Sequence, residues 1–217
     1  MYARKKRFGR FGSLILVALV LVGGLIGAAV GKYIKTTTYT GTLTVNAELA
    51  ESMTLLESEA KRNNDGTYYL NTAKTVTENA YELIPGLDIP KDPHITITKK
   101  TPIEAYLYVE VVDNTPNGAI GYEMTGNWLL LEGVTGKHNG AVYVYTTDKS
   151  APAVVDDNVG AEFKVHLLKD NQITVSQKLN TNQTNDTMTF YAAMGEVAAS
   201  DLGVSTDAAK EVYNELI

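Results

Sequence analysis

Over most of the chain beyond Lys32 the apolar residues recur at every second position, and no other feature limits the fold so sharply. Ala105, Leu107, Val109 and Val111 alternate with Tyr106, Tyr108 and Glu110. His94-Ile95-Thr96-Ile97-Thr98 alternates in the same way. So do Val142 and Val144 with Tyr143 and Tyr145, Val165 and Leu167 with Lys164 and His166, and Met188, Phe190 and Ala192 with Thr189 and Tyr191. Near the start, Tyr39, Gly41, Leu43 and Val45 share one parity and Thr38, Thr40, Thr42 and Thr44 the other. Successive side chains of a strand point to opposite faces, so this period reads as strands with one buried face. Thr, Tyr and Val also suit a half-exposed pleated surface.

The punctuation between these runs belongs to turns. Asn63-Asn64-Asp65-Gly66, between Met53–Arg62 and Thr67–Leu70, reads as a hairpin turn with Gly66 at positive φ. Pro85 and Gly86 suit the two central positions of a type II turn. Asn117-Gly118, Gly136 and Asn139-Gly140 divide the later strands. Strands at this spacing without intervening helices predict an all-β fold, an antiparallel jelly-roll-like sandwich in a single domain over residues 32–217. Residues 46–61 hold helix formers, yet Met53-Thr54-Leu55-Leu56 running into the Asn-Asp-Gly turn favours a hairpin arm. The one helix expected is the short C-terminal segment 205–217. Ser205 can cap it, Asp207 sits in its first turn, and Ala209, Val212, Tyr213 and Leu216 form an apolar stripe. That stripe is expected to close one open end of the sandwich. Residues 151–158 and 179–186 read as exposed polar loops.

Ahead of the body lies a different kind of sequence. Arg4, Lys5, Lys6, Arg7 and Arg10 precede eighteen uncharged residues, Leu14 to Gly31. A basic cluster followed by an apolar run is the pattern of a secretory signal helix over residues 1–31. Gly27-x-Ala29 and Ala29-x-Gly31 offer small residues for cleavage just before Lys32. The run is also long enough to cross a bilayer if it is retained as an anchor. A third possibility is a pilin-type cut between Gly12 and Ser13, although Ser13 to Gly31 contain no acid of the kind that bacterial pilins usually carry there. The chain is exported in all three cases, with the positive flank inside. Removing the five leading bases leaves 14 Lys+Arg against 25 Asp+Glu, a body of net charge −11. Such a body argues against nucleic acid as a partner, because phosphate contacts need a basic face.

The sequence holds few residues in patterns that carry chemistry. The chain has no cysteine, which excludes disulfides, thiolate metal sites and a Cys nucleophile. His94, His138 and His166 are isolated from one another in sequence; there is no His-Glu-x-x-His and no Gly-x-Ser-x-Gly. No Gly-rich phosphate loop occurs. His94 and His166 are expected to be plain surface residues. Asp156-Asp157-Asn158 lacks the alternate spacing of a calcium loop. Asn182 and Asn185 begin glycosylation patterns that read as polar turns, and Trp128 reads as core. No catalytic residue, metal or cofactor is expected, and the chain is read as no enzyme.

What remains is a binding or structural module, and one segment sharpens that. Residues 32–40, Lys-Tyr-Ile-Lys-Thr-Thr-Thr-Tyr-Thr, are extended, with no turn residue before Gly41. A strand freed by cleavage here can complete its own sheet or that of a neighbour, burying alternate side chains such as Tyr33 and Tyr39. Head-to-tail donation of that kind does not close on itself and builds a fibre.

At these residues the chain resembles the TasA/camelysin family of secreted biofilm-matrix fibre proteins of Gram-positive bacteria. The resemblance is carried by the basic n-region and the run Gly23-Gly24-Leu25-Ile26-Gly27-Ala28-Ala29. It continues through Gly41-Thr42-Leu43-Thr44-Val45, the turn Pro85-Gly86-Leu87-Asp88 leading to Lys91-Asp92-Pro93, and the strand Ala105–Val109. It covers residues 5–113, with a looser likeness in Phe190-Tyr191-Ala192-Ala193 and the terminal helix. The turn departs from the family's Pro-Gly-Asp by an inserted Leu87, and the segment after the signal is unusually rich in Thr. The resemblance implies a jelly-roll subunit exported through a SipW-type signal peptidase. It further implies a homopolymer assembled by donor-strand exchange through residues 32–45 (Tyr33, Ile34, Thr37, Tyr39, Gly41, Leu43), with other matrix components as possible neighbours. The metallopeptidase label sometimes given to camelysin-like members finds no ligands here. The alternative expectation is a membrane-anchored surface adhesin or a pilin-like filament subunit.

Overall fold

The computed structural model describes residues 35–38, 43–44, 53–97, 104–115, 118–155, 163–177, 187–197 and 203–217. Among the described residues the fold is all-β, with antiparallel sheets and one C-terminal helix. The strands are β1 (Lys35–Thr38), β2 (Leu43–Thr44), β3 (Met53–Arg62), β4 (Tyr68–Val76), β5 (Asp88–Pro90), β6 (His94–Ile97) and β7 (Ala105–Asp113). They continue with β8 (Ile120–Gly121), β9 (Trp128–Thr135), β10 (Ala141–Tyr145), β11 (Val154–Val155), β12 (Phe163–His166), β13 (Gln172–Val175) and β14 (Met188–Glu196). Helix α1 (Thr206–Leu216) closes the chain.

The largest sheet runs β2-β1-β14-β7-β10-β9, with β11 beside β10 on the same edge of β7. A four-stranded sheet runs β12-β6-β3-β4, and a three-stranded one β5-β13-β8. β7 is the axis of the structure: eight of its nine residues are buried. Its register places Leu107, Val109 and Val111 opposite Met194, Ala192 and Phe190 of β14, and all six are buried. This face meets the four-stranded sheet, where the Tyr145 ring stands edge-on to Phe163 at 5.3 Å and Trp128 Nε1 donates to the His166 carbonyl at 2.9 Å.

The opposite face of the large sheet carries Tyr106, Tyr108, Val142, Val144, Leu131 and Ala193, and α1 lies on it through Ala208, Ala209 and Tyr213. Tyr108 Oη donates to the Ala209 carbonyl at 2.8 Å. Ser205 caps the helix by accepting from Ala208 N at 3.1 Å. The helix therefore covers a sheet face and not an open end of a sandwich. The reason is the sheet itself: small residues at Ala193 and Gly195 leave a hollow, and a Cβ on Gly195 would stand 2.5 Å from Val212 Cγ1.

The hairpin of residues 53–76 forms as the turn chemistry dictates. β3 pairs with β4, Gly66 has φ +91°, and Gly66 N donates to the Asn63 carbonyl at 3.1 Å. Leu87 N donates to the Ile84 carbonyl at 3.1 Å across Pro85-Gly86, with Gly86 at φ +80°, a type II turn. Two segments differ from the sequence reading. Val154 and Val155 are not loop: they pair with Tyr106 and Ala105, and Val155 is fully buried. The extended segment 32–45 does not run on as one strand. β2 folds back antiparallel on β1, Thr37 facing Leu43. Leu14–Gly31, with Gly27, Ala29 and Gly31, lies outside the described residues, as do Lys32, Tyr33, Ile34, Tyr39, Gly41, residues 156–158 and residues 179–186. No helix among the described residues is long and apolar enough to cross a membrane.

Candidate functional site: the second edge of β14 and three buried carboxylates

β14 has two neighbours of unequal weight. On one side it pairs with β7 over nine positions, from Met188 opposite Asp113 to Glu196 opposite Ala105, without a break in register. On the other, among the described residues, β1 covers four positions, Lys35–Thr38 opposite Met194–Tyr191. Thr37, one of the expected assembly residues, lies opposite Ala192 on this edge; Leu43 lies opposite Thr37 and not on β14.

The other long edges are built differently. On β4 the register jumps from Ser58 opposite Thr75 to Glu59 opposite Asn71, so extra residues bulge out of β4. On β9 it jumps from Ala141 opposite Thr135 to Tyr143 opposite Leu130, with Gly133 at φ +79°. Bulges twist an edge away from any added strand. β14 is thus a long strand with a regular ladder, and the short strand β1 occupies the edge that β7 leaves.

The middle of this edge is braced from the helix side. Glu110 on β7 is opposite Tyr191 on β14 and is 3 % exposed. Its Oε1 accepts from the backbone N–H of His138 at 2.7 Å and of Gly140 at 2.9 Å, and its Oε2 lies 2.9 Å from His138 Nδ1. The turn closes over the carboxylate because residues 136 and 140 are glycines. A Cβ on Gly136 would stand 2.2 Å from the Glu110 carboxyl, and one on Gly140 would stand 2.5 Å from the Val111 carbonyl oxygen. The His138 ring so positioned stacks on Tyr191, centroids 3.7 Å apart and planes 10° from parallel. Beside them a cavity of about 20 Å³, lined by Tyr108, Glu110, Tyr191, Ala193 and Tyr213, has room for one water. Burial, reinforced by the Glu110 charge, pushes the Tyr213 phenol up to about 12, and burial raises Tyr108 as well.

The turn region that carries the family resemblance forms the second cluster. Pro85 and Gly86 make the turn and Asp88 is exposed at the start of β5, but Lys91 and Asp92 are each only 5 % exposed. Lys91 Nζ lies 2.8 Å from Glu57 Oε2, and both side chains are essentially inaccessible. Asp92 accepts from Ser58 N and Ser58 Oγ, both at 2.7 Å. Asn79 takes up the next groups of the same strand, donating to the Ser58 carbonyl and accepting from Ala60 N, both at 2.8 Å. Beyond the end of β6, side chains therefore finish the β3 ladder. Tyr81 lies over the group: Lys91 Nζ is 5.5 Å from its ring centre. Burial, with the charges of Glu57 and Asp92, raises its phenol.

Of the two histidines expected at the surface, His94 is buried in this interior and His166 is half-buried beside it. They face one another across β6 and β12 with ring centroids 5.4 Å apart, and His94 is 4 % exposed. Burial holds the His166 imidazole below its ordinary range, with Lys164 and His94 acting in the same sense. The pairing of two distant histidines depends on strand register, which no local spacing reveals. Glu110 was equally hidden, since its alternation with Val109 and Val111 reads as an outward polar face.

Among the described residues no group of three or more His, Asp and Glu is placed to hold a metal ion. The architecture and the edge define the class: an antiparallel all-β domain in which the short strand β1 lies along a long, regular strand. No family model, curated protein or solved structure matches the chain.

Proposed function

We propose that the chain is a secreted structural subunit of an extracellular or biofilm matrix, a jelly-roll monomer that polymerises head-to-tail when the strand behind the signal cleavage point joins the β14 edge of the next copy. The observation that carries this reading is the inequality of the edges. β14 keeps an unbroken nine-position ladder on β7, and among the described residues four of β1 line its other edge, whereas β4 and β9 are bulged. The resemblance of residues 5–113 to the TasA/camelysin family points the same way, as do the regions where a signal peptidase of the SipW type would act. The role is mechanical and not enzymatic, and the location is the bacterial surface or the matrix.

Exchange is energetically close to neutral in its contacts. The backbone bonds of β1, each contributing about 0.5–1.5 kcal/mol net, are made equally with its own β14 or with a neighbour's. The balance is therefore set by subunit concentration against the effective concentration of the tethered strand. Cleavage is required for this. Only Lys32, Tyr33 and Ile34 separate Gly31 from β1, a reach of about 10 Å at full extension. A retained membrane segment would hold the strand beside its own anchor.

Proline tests the mechanism. Consecutive residues of a strand direct their N–H groups to opposite neighbours, so one of Thr36→Pro and Thr37→Pro must delete a donor facing β14. The expected outcome is that one variant secretes as a folded monomer that no longer sediments as fibres, from a protein starting between Gly27 and Lys32 by mass spectrometry. Unchanged fibres in both variants refute strand donation. A protein starting at Ser13 would replace it with a pilin-type filament, and an intact N-terminus in the membrane fraction with an anchored surface domain.

A further inference from the structure

From the burial and geometry of the Lys91–Glu57 pair, we infer that the two side chains are joined in the mature protein by an isopeptide bond, a covalent brace between β3 and the segment following β5. An ammonium facing a carboxylate has the composition of an amide plus one water, so condensation needs no other reactant. The pair is 2.8 Å apart, Nζ to Oε2, with side chains 6 % and 0 % exposed. Glu57 Oε1 is buried and has no hydrogen-bond partner. The carboxyl is thus held through one oxygen and can turn about its Cγ–Cδ bond to present its carbon to the nitrogen. Two aromatic rings flank the nitrogen, the Phe190 ring centre 5.9 Å and the Tyr81 ring centre 5.5 Å from Nζ.

The step begins with transfer of one proton from the Lys91 ammonium to the carboxylate it faces at 2.8 Å, giving an amine and a carboxylic acid. The nitrogen lone pair then forms a bond to Glu57 Cδ. A second proton passes from nitrogen to the departing hydroxyl, the Cδ–O bond breaks and water leaves, so a secondary amide remains. Exclusion of water keeps the reverse hydrolysis slow. The product removes two buried charges and replaces an unsatisfied carboxylate oxygen with a neutral carbonyl, which is cheaper to bury.

The brace also answers a need. A protein without cysteine cannot use disulfides outside the cell. The Lys91–Glu57 link spans 34 residues of chain and would stabilise it as a disulfide of that loop length does. The proposal is independent of fibre formation, since the bond is read equally on monomer and polymer.

The experiment is the intact mass of the full exported chain, followed by proteolysis and peptide mapping. The expected mass is about 18 Da, one water, below that of the sequence from the same N-terminal residue. A branched peptide should link the segments around Glu57 and Lys91. Lys91→Arg should restore the full sequence mass, and Glu57→Gln should give the same branch with loss of ammonia instead of water. A wild-type mass equal to the sequence mass overturns the proposal and leaves a plain buried ion pair. A deficit that maps to other residues overturns it as well. Because the wild-type spectrum decides, the test stands even if a variant fails to fold.

Discussion

Glu110 is the residue through which the turn at residues 136–140, the His138 ring and the middle of β14 are held together, and its removal should be costly in a defined way. In Glu110→Ala two backbone N–H groups, of His138 and Gly140, lose the oxygen they share at 2.7 and 2.9 Å. An unsatisfied buried donor costs about 1–3 kcal/mol, so about 2–6 kcal/mol is at stake, and water entering the vacated space relieves the upper part of that range. We expect a loss of about 2–4 kcal/mol. With a urea slope near 2 kcal/mol/M this lowers the unfolding midpoint by about 1–2 M. Glu110→Gln is the control. Its carbonyl oxygen can sit where Oε1 sits and keep both backbone bonds, while its amide faces His138 Nδ1 in the tautomer that accepts. Only the charge assistance is lost, about 1.5 kcal/mol or less. Equilibrium urea unfolding followed by far-UV circular dichroism and by Trp128 fluorescence checks both. An alanine variant within about 0.5 kcal/mol of wild type would refute the reasoning, as would a glutamine variant as damaged as the alanine one.

Gly195→Val should lift α1 from the sheet, because the new side chain meets Val212 at 2.5 Å; a loss of about 1–3 kcal/mol and faster proteolysis of the C-terminus are expected, with partial rescue by Val212→Ala. Gly86→Ala places a side chain at φ +80° and should cost about 1–2 kcal/mol in chemical denaturation, with no change in fold by circular dichroism. Burial depresses the folded-state pKa of His166, while Asp92 and a hydrogen bond with Asn171 oppose the shift without cancelling it. Below the ordinary histidine value of about 6.5 the unfolded chain therefore binds a proton that the folded one resists. Its contribution is full above that value and is lost as pH falls through the folded pKa, at no more than about 1.4 kcal/mol per pH unit. His166→Phe should flatten the fall in urea midpoint on the acid side, and an unchanged slope would show that other groups set it.

The parts of the fold legible in the sequence are those fixed by short-range chemistry. The Asn63–Gly66 hairpin, the Pro85-Gly86 turn, the Ser205 cap and the alternating strands each depend on residues a few positions apart. What stayed hidden depends on which surfaces meet. Tyr106, Tyr108 and Glu110 alternate with aliphatic residues and look like a solvent face, yet α1 and the turn at residues 136–140 cover them. His94 is buried and His166 half-buried against it because β6 and β12 pair in one register out of several. Val154 and Val155 are too short a run to signal a strand, and they form one because the end of β7 offers a free ladder beyond β10. The regular β14 edge is invisible for the same reason: the regularity lies in its neighbours.

β7, sealed on both faces and paired on both edges, gives the molecule an internal clock. Its amide protons can exchange with solvent only when the whole domain opens, whereas those that β1 contributes to β14 exchange whenever β1 detaches. Deuterium uptake at the two strands in one sample therefore measures two opening free energies. Their difference states how much more readily the protein releases its first strand than it unfolds.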